Sequence, residues 1–185
     1  MSDLKKVDNN SYTATLHIGV SVFKQVMWYV TNILFFKNGF SISSRIKVSL
    51  LRCFGASVGK GVVIKPCVNI KYPWKLSIGN YAWIGEQVWI DNIAHVTMGD
   101  NVCLSQGSLL LTGNHNYKTS TFDLLPGTII LEEGVWIGAK AIVCPGVVCA
   151  SHAILSVASV ANENLLPYAI YKGNPALKVG DRVIE

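Results

Sequence analysis

The chain has 185 residues, half of them hydrophobic, which is enough for one domain with a sizeable core. Its net charge of +5 is unevenly placed: residues 1–65 hold nine Lys and Arg against Asp3 and Asp8, whereas the remainder holds seven basic and nine acidic residues. Basicity confined to one end argues against an extended nucleic-acid surface and suits an anionic membrane surface or an anionic donor.

Residues 1–50 read as a helical, amphipathic N-terminal segment. Within it Val20 to Phe36 is apolar for seventeen residues but interrupted by Lys24, Gln25 and Asn32. It is short for a membrane span and lacks the small-residue cleavage site of a secretory signal. Two readings stay open. The segment packs on one end of the molecule or on a neighbouring subunit, or it lies on the cytoplasmic face of a membrane with Trp28 and Tyr29 at the interface.

From Val58 onward the chain repeats every six residues. Val58, Ile64 and Ile70 are followed by Ile78, Ile84 and Ile90, then by Met98, Leu104 and Leu110; the series resumes as Leu131, Ile137, Val143, Cys149, Leu155 and Ala161. A small or β-branched residue stands four positions after most of these, and glycine often follows them directly, as in Ile78-Gly79 and Ile137-Gly138. Neither an α-helix nor an ordinary strand has period six; a hexapeptide repeat is the signature of a parallel β-helix. The predicted fold is all-β: short strands joined by corners, three to a triangular coil, with the large aliphatic side chains inside and glycine supplying corner backbone angles. The β-helix domain is expected over residues 51–172, with a tail from 173 to 185.

The spacing also locates the irregularities. Leu131 to Cys149 is eighteen residues, one full coil, whereas Val58 to Ile78 and Ile78 to Met98 are twenty each. Met98 to Leu131 is thirty-three, so one coil carries a fifteen-residue excursion, over about 112–129. The root of this loop reads Asn114-His115-Asn116-Tyr117. A histidine suited to proton transfer near neutrality, on the long loop of a rigid scaffold, is the leading catalytic candidate. His17, His95 and His152 fall at ordinary positions, and their spacing with His115 matches no zinc triad, so no metal is expected. The five cysteines, with no CxxC pair, read as reduced thiols of a cytoplasmic protein; Cys149 occupies an inward repeat position.

The hexads, the TGNHNY loop (Thr112 to Tyr117), the VWIG-x-x-A-x-V-x-PGV stretch (Val135 to Val147) and GNPA (Gly173 to Ala176) resemble the hexapeptide-repeat acyltransferases. Through RCFGASVGKGVVI (Arg52 to Ile64), YPWKLSIGNYAWIGEQVWI (Tyr72 to Ile90) and LSQGSLLLTGNHNY (Leu104 to Tyr117), the chain is most similar to the colanic-acid-type O-acetyltransferases of bacterial exopolysaccharide pathways. The resemblance implies a left-handed β-helix, a homotrimer with active sites at the subunit interfaces, acetyl-CoA as donor and a saccharide, free or lipid-linked, as acceptor. It implies direct transfer with His115 as general base. By motif position Ala139 and Ala158 would lie along the pantetheine arm. The usual phosphate lysine is replaced by Glu163, so Lys140, Lys172, Lys178 or Arg182 would take its place. For the acceptor the resemblance offers Asn114, Glu86, Asp91 and Asn92, with Trp83, Trp89 and Tyr117 as stacking surfaces. Acetylation of an amino group, on an amino sugar or an antibiotic, is the alternative, followed by a prism that has lost activity.

Overall fold

The computed structural model describes residues 5–12 and 16–185; residues 1–4 and 13–15 of the N-terminal segment lie outside the described residues. Fifteen short strands form five coils. The first coil is β1 (Ser57–Val58), β2 (Val63–Ile64) and β3 (Asn69–Ile70), and the second β4 (Leu76–Ile78), β5 (Trp83–Ile84) and β6 (Trp89–Asp91). The third is β7 (Val96–Met98), β8 (Cys103–Leu104) and β9 (Leu109–Leu111), and the fourth β10 (Ile129–Leu131), β11 (Trp136–Ile137) and β12 (Ile142–Val143). The fifth is β13 (Val148–Cys149), β14 (Ile154–Leu155) and β15 (Val160–Ala161). A sixth begins with Leu165, which bridges to Cys149, and continues in β16 (Ala169–Lys172), after which β17 (Leu177–Asp181) folds back antiparallel to it.

Successive coils pair in parallel to give three sheets. Sheet A stacks β1, β4, β7, β10 and β13; sheet B runs from β2 through β5, β8, β11 and β14 to β16 and β17; sheet C stacks β3, β6, β9, β12 and β15. The registers Val58↔Ile78, Ile78↔Met98, Met98↔Leu131 and Leu131↔Cys149 are those the period-six series predicts. Ile64, Ile70, Ile84, Ile90, Leu104, Leu110, Leu131, Ile137, Val143 and Leu155 fill the prism and are buried. At about 25 cal/mol per Å² of apolar surface removed from water, this continuous column supplies the main stabilisation of the fold.

The inserted residues of the first three coils all leave at one edge, between sheets C and A. The first insertion forms a turn of 3₁₀-helix at Pro73–Lys75, the second spans Asp91 to His95, and the third is the excursion. Buried Asn92 clamps the edge: its Oδ1 accepts from Tyr72 N at 2.9 Å, and its Nδ2 donates to Tyr72 O at 2.6 Å and Lys75 O at 3.0 Å. Thr112 Oγ1 repeats the device one coil later, accepting from Ala94 N at 3.0 Å and donating to Asp91 O at 2.8 Å.

Glycine plays a different part from the one expected. Gly59, Gly79 and Gly138 do not adopt the left-handed backbone. A Cβ on Gly59 would fall 2.6 Å from the Gly79 backbone, and one on Gly138 2.6 Å from Val157 N, so these glycines permit the close approach of neighbouring coils. The left-handed corners come later in each hexad and are mostly held by other residues, among them Tyr81, Gln87, Lys140, His152 and Ala158.

The N-terminal segment closes the first coil. Helix α1 (Val22–Thr31) continues into a π-turn at Asn32–Phe36, and helix α2 runs over Ser44–Cys53. On α1, Trp28 is buried and donates its indole N–H to Ile70 O at 3.0 Å, while the Asn32 amide donates to Asn69 Oδ1 and Ile70 O. Trp28 therefore faces the protein, whereas Tyr29 is exposed. On α2, Val48 and Leu51 are buried, and Arg52 ties the helix end to β1 through Val58 O at 2.7 Å.

Candidate active site

The excursion folds as a two-stranded tongue. His115 bridges antiparallel to Leu124, Asn116 N donates to Asp123 O and Leu125 N to Asn114 O, both at 2.7 Å. At its tip Phe122 takes a left-handed conformation, φ 51°, which turns its carbonyl back toward His115. His115 Nδ1 lies 2.8 Å from that oxygen, and the Phe122 ring stacks on the imidazole at 4.3 Å and 7°. A carbonyl oxygen only accepts, so Nδ1 carries the proton and Nε2 keeps its lone pair. Among the described residues no group hydrogen-bonds Nε2. The half-buried imidazole is a fixed base with its acceptor nitrogen free. Asn114 accepts from the His115 backbone N–H at 2.8 Å and leaves the ring alone.

The remaining candidates fall at two edges of the prism. At the edge between sheets B and C, Gly107 N donates to Glu86 O at 2.8 Å, Lys140 N to Gln106 O at 2.9 Å and Ala158 N to Ala139 O at 2.9 Å. Glu86, Ala139, Lys140 and Ala158 thus stand along one stack of corners. Lys172 closes that stack at the end of β16. Lys140 and Lys172 have no acidic partner among the described residues, whereas Lys178 is paired with Asp181 at 2.7 Å, which raises its pKa. Arg182 is engaged elsewhere, donating to Gly134 O at 2.8 Å and His152 O. Glu163 follows β15 at the edge between sheets C and A, one face away from Ala139 and Ala158, so its carboxylate does not oppose phosphates along their stack.

At the edge between sheets C and A stand Asp91, Asn114, His115 and Tyr117, with Trp89 on the outer face of sheet C. Trp89 and Asp91 line a groove of about 460 Å³ between α1 and sheet C, with Lys71 Nζ 2.8 Å from Asp91 Oδ1 and Tyr72 stacked on Trp74 at its wall. Tyr117 is exposed beside the base. Asn92 is a correction to the sequence reading: its side chain is buried and its amide is occupied by Tyr72 and Lys75, so it holds the corner and offers no group to a sugar. Trp83 stands on the outer face of sheet B, beneath Lys65, apart from this edge.

No family model matches the chain. Over 165 residues it is 33% identical to a protein of Escherichia coli (strain K12) named for an acetyltransferase role in colanic acid biosynthesis, covering 89% of this chain and 91% of that one. The chain belongs to the hexapeptide-repeat acetyltransferases. The galactoside O-acetyltransferase of the same strain is 25% identical over 69% of this chain and 64% of its own length. Among solved structures, the hexapeptide-repeat acetyltransferase of Vibrio cholerae complexed with acetyl coenzyme A superimposes with a TM-score of 0.79 at 19% identity, over 90% of this chain and 92% of that one.

In this acetyltransferase three of the five cysteines are held as neutral thiols by burial. Burial pushes the Cys149 thiol up to about 12, and Cys103 and Cys144 are raised for the same reason. Of the other histidines, His95 Nε2 meets Ser77 Oγ at 3.0 Å, His152 stacks on Tyr168 and meets Ser151 Oγ, and His17 lines a hollow with Leu124 and Pro126 of the tongue. Among the described residues no three His, Cys, Asp or Glu gather as a metal site. The residue that sequence reasoning missed is Phe122. It lies in the excursion, but its role is carried by a backbone carbonyl that no side-chain pattern reports.

Proposed function

We propose that this acetyltransferase moves the acetyl group of acetyl-CoA to a hydroxyl of a saccharide, free or lipid-linked, in exopolysaccharide or capsule synthesis. The observation that carries the reading is the His115 imidazole, locked as the Nδ1–H tautomer by the Phe122 carbonyl with Nε2 open. Nε2 takes the proton of the acceptor hydroxyl as its oxygen attacks the thioester carbonyl. The tetrahedral intermediate collapses, the C–S bond breaks, and the proton passes from His115 to the departing thiolate. The Ala139 and Ala158 edge fits the donor: methyl side chains leave room for a pantetheine arm against the coils, and Lys140 and Lys172 are free to meet its phosphates. Trp89, Asp91, Asn114 and Tyr117 would hold the saccharide.

Two features support a homotrimer with the site between subunits. In one protomer the face of sheet C separates the Ala139 edge from His115, so the base of one copy would meet the donor held by another. The outer residues of sheet A are polar at Ser57, Ser77 and Thr97 and apolar only at Ile130 and Val148, whereas Trp83, Cys103, Trp136 and Ile154 on sheet B, and Trp89, Leu109, Ile142 and Val160 after Asn69 on sheet C, are apolar and suited to cover by neighbouring copies. Residues 1–50 would face the cytoplasmic side of the membrane.

The test is thiol release from acetyl-CoA over a panel of saccharides and amino sugars. Acceptor-dependent turnover with hydroxyl acceptors, falling roughly 10²–10⁴-fold in His115→Ala, is expected. Unchanged turnover in the variant removes His115 as base; turnover confined to amines overturns O-acetylation.

A further inference from the structure

Helix α1 and its π-turn present two opposite faces. One is buried on the first coil through Trp28, Asn32 and Phe36. The other carries Val22, Phe23, Val26, Met27, Val30, Ile33 and Leu34 in one helical stripe, all exposed, with Phe23 at 75% and Leu34 at 58%. A patch of this kind on a globular surface marks an interaction site. The sequence around it is one-signed: from Asn9 to Gly85 it holds nine Lys and Arg and no Asp or Glu, and Asp91 in the adjoining groove is paired with Lys71. Lys47 is buried and Arg52 is bonded to carbonyls, but Lys37, directly after the π-turn, is exposed beside this helix, Arg45 is exposed at the start of α2, and Lys71 stands at the groove beneath α1. No described helix is long and apolar enough to cross a membrane.

We propose that α1 docks this protein on an anionic phospholipid bilayer, with Phe23, Val30, Ile33 and Leu34 in the boundary between headgroups and acyl chains and Lys37 and Arg45 at the phosphates. An apolar helical face on a segment that carries only basic charge fits that surface. A second copy of the chain, brought against the same face, would set like charges together. The inference deepens the membrane side of the proposed function and identifies the groove as its neighbour, because Val22 and Val26 belong to both. A saccharide carried on a bilayer lipid would then meet Trp89 and Asp91 at the membrane surface.

The test is cosedimentation of the full chain with phosphatidylcholine vesicles and with vesicles containing phosphatidylglycerol, for wild type, Phe23→Glu/Val30→Glu and Lys37→Glu/Arg45→Glu. Both pairs are exposed, and unchanged thermal unfolding checks their folding. Binding to anionic vesicles that weakens at least tenfold in each double variant, with little binding to neutral vesicles, is the expected result. Wild type left in the supernatant, equal binding by the variants, or equal binding to neutral vesicles overturns the proposal. So does a Phe23→Glu/Val30→Glu protein of altered mass in vesicle-free solution, which would assign the face to a second copy. Turnover of a soluble saccharide is read on the same samples. Its loss in His115→Ala with vesicle binding intact bears on the transfer reaction alone, so the two readings fail separately.

Discussion

In the proposed reaction the proton transfer turns on His115 and the way Phe122 holds it. The Phe122 ring covers one face of the imidazole and its carbonyl fixes the tautomer, so removing the ring leaves the carbonyl in place but frees the base to rotate. Phe122→Ala is therefore expected to lower kcat between about 10- and 100-fold, the range in which a small misplacement of a catalytic group falls. The KM for acetyl-CoA, whose contacts are proposed at another edge, should stay near its wild-type value; steady-state kinetics in both substrates makes the separation. A Phe122→Ala enzyme with unaltered kcat would show that the tongue positions His115 without that ring.

Two elements concentrate polar groups in covered positions. At the edge where the first three coils carry insertions, Asn92 satisfies three backbone groups at once. Asn92→Ala leaves them unpaired under the tongue, at a cost of about 1–3 kcal/mol for each buried group. Thermal unfolding should show a fall in Tm of several degrees, with His115 chemistry reduced if the tongue loosens. Under the first coil, Lys47 of α2 is buried, donates to Lys65 O at 2.8 Å and lies over the Phe36 ring. Desolvation lowers its pKa from 10.5, so the folded protein disfavours the charged form and the unfolded chain binds more protons below pH 10.5. The wild type should gain stability relative to Lys47→Met as pH rises from the folded value toward 10.5. Denaturant midpoints of the two proteins that keep a constant gap across that range would contradict this.

The whole molecule is a stack of coils whose sheets B and C are largely apolar on their outer faces, whereas sheet A is polar there in the first three coils; one end is closed by helices and the other by a hairpin. Its predicted assembly is a trimer in solution by light scattering. Ile154→Asp on sheet B and Ile142→Asp on sheet C each place a carboxylate at a half-buried outward position of the coils nearest the donor edge. Each should shift the mass toward the monomer and reduce turnover together with it. A wild-type monomer with full turnover would place the complete site in one chain.

Sequence by itself determined the prism. Period six forces a corner after every short strand, and the eighteen-residue spacing of Leu131 and Cys149 fixes the register because any slip would turn the aliphatic column outward. The same arithmetic located the excursion and placed His115 on it. What it could not give were facts made by the path of the backbone between coils. The Phe122 carbonyl reaches His115 only because the tongue closes antiparallel and Phe122 is left-handed. Asn92, polar and beside Asp91 in sequence, reads as a sugar ligand until two successive corners stack and occupy its amide. Gly59 and Gly138 look like turn residues until the next coil is laid within van der Waals range of their Cα atoms. Trp28 and Tyr29 are adjacent letters of one apolar run, and only the docking of α1 on β3 decides that the first is core and the second is surface. Local periodicity encodes which side chains face inward; which polar atoms meet across coils, and which apolar face is left uncovered, is settled by the three-dimensional packing alone.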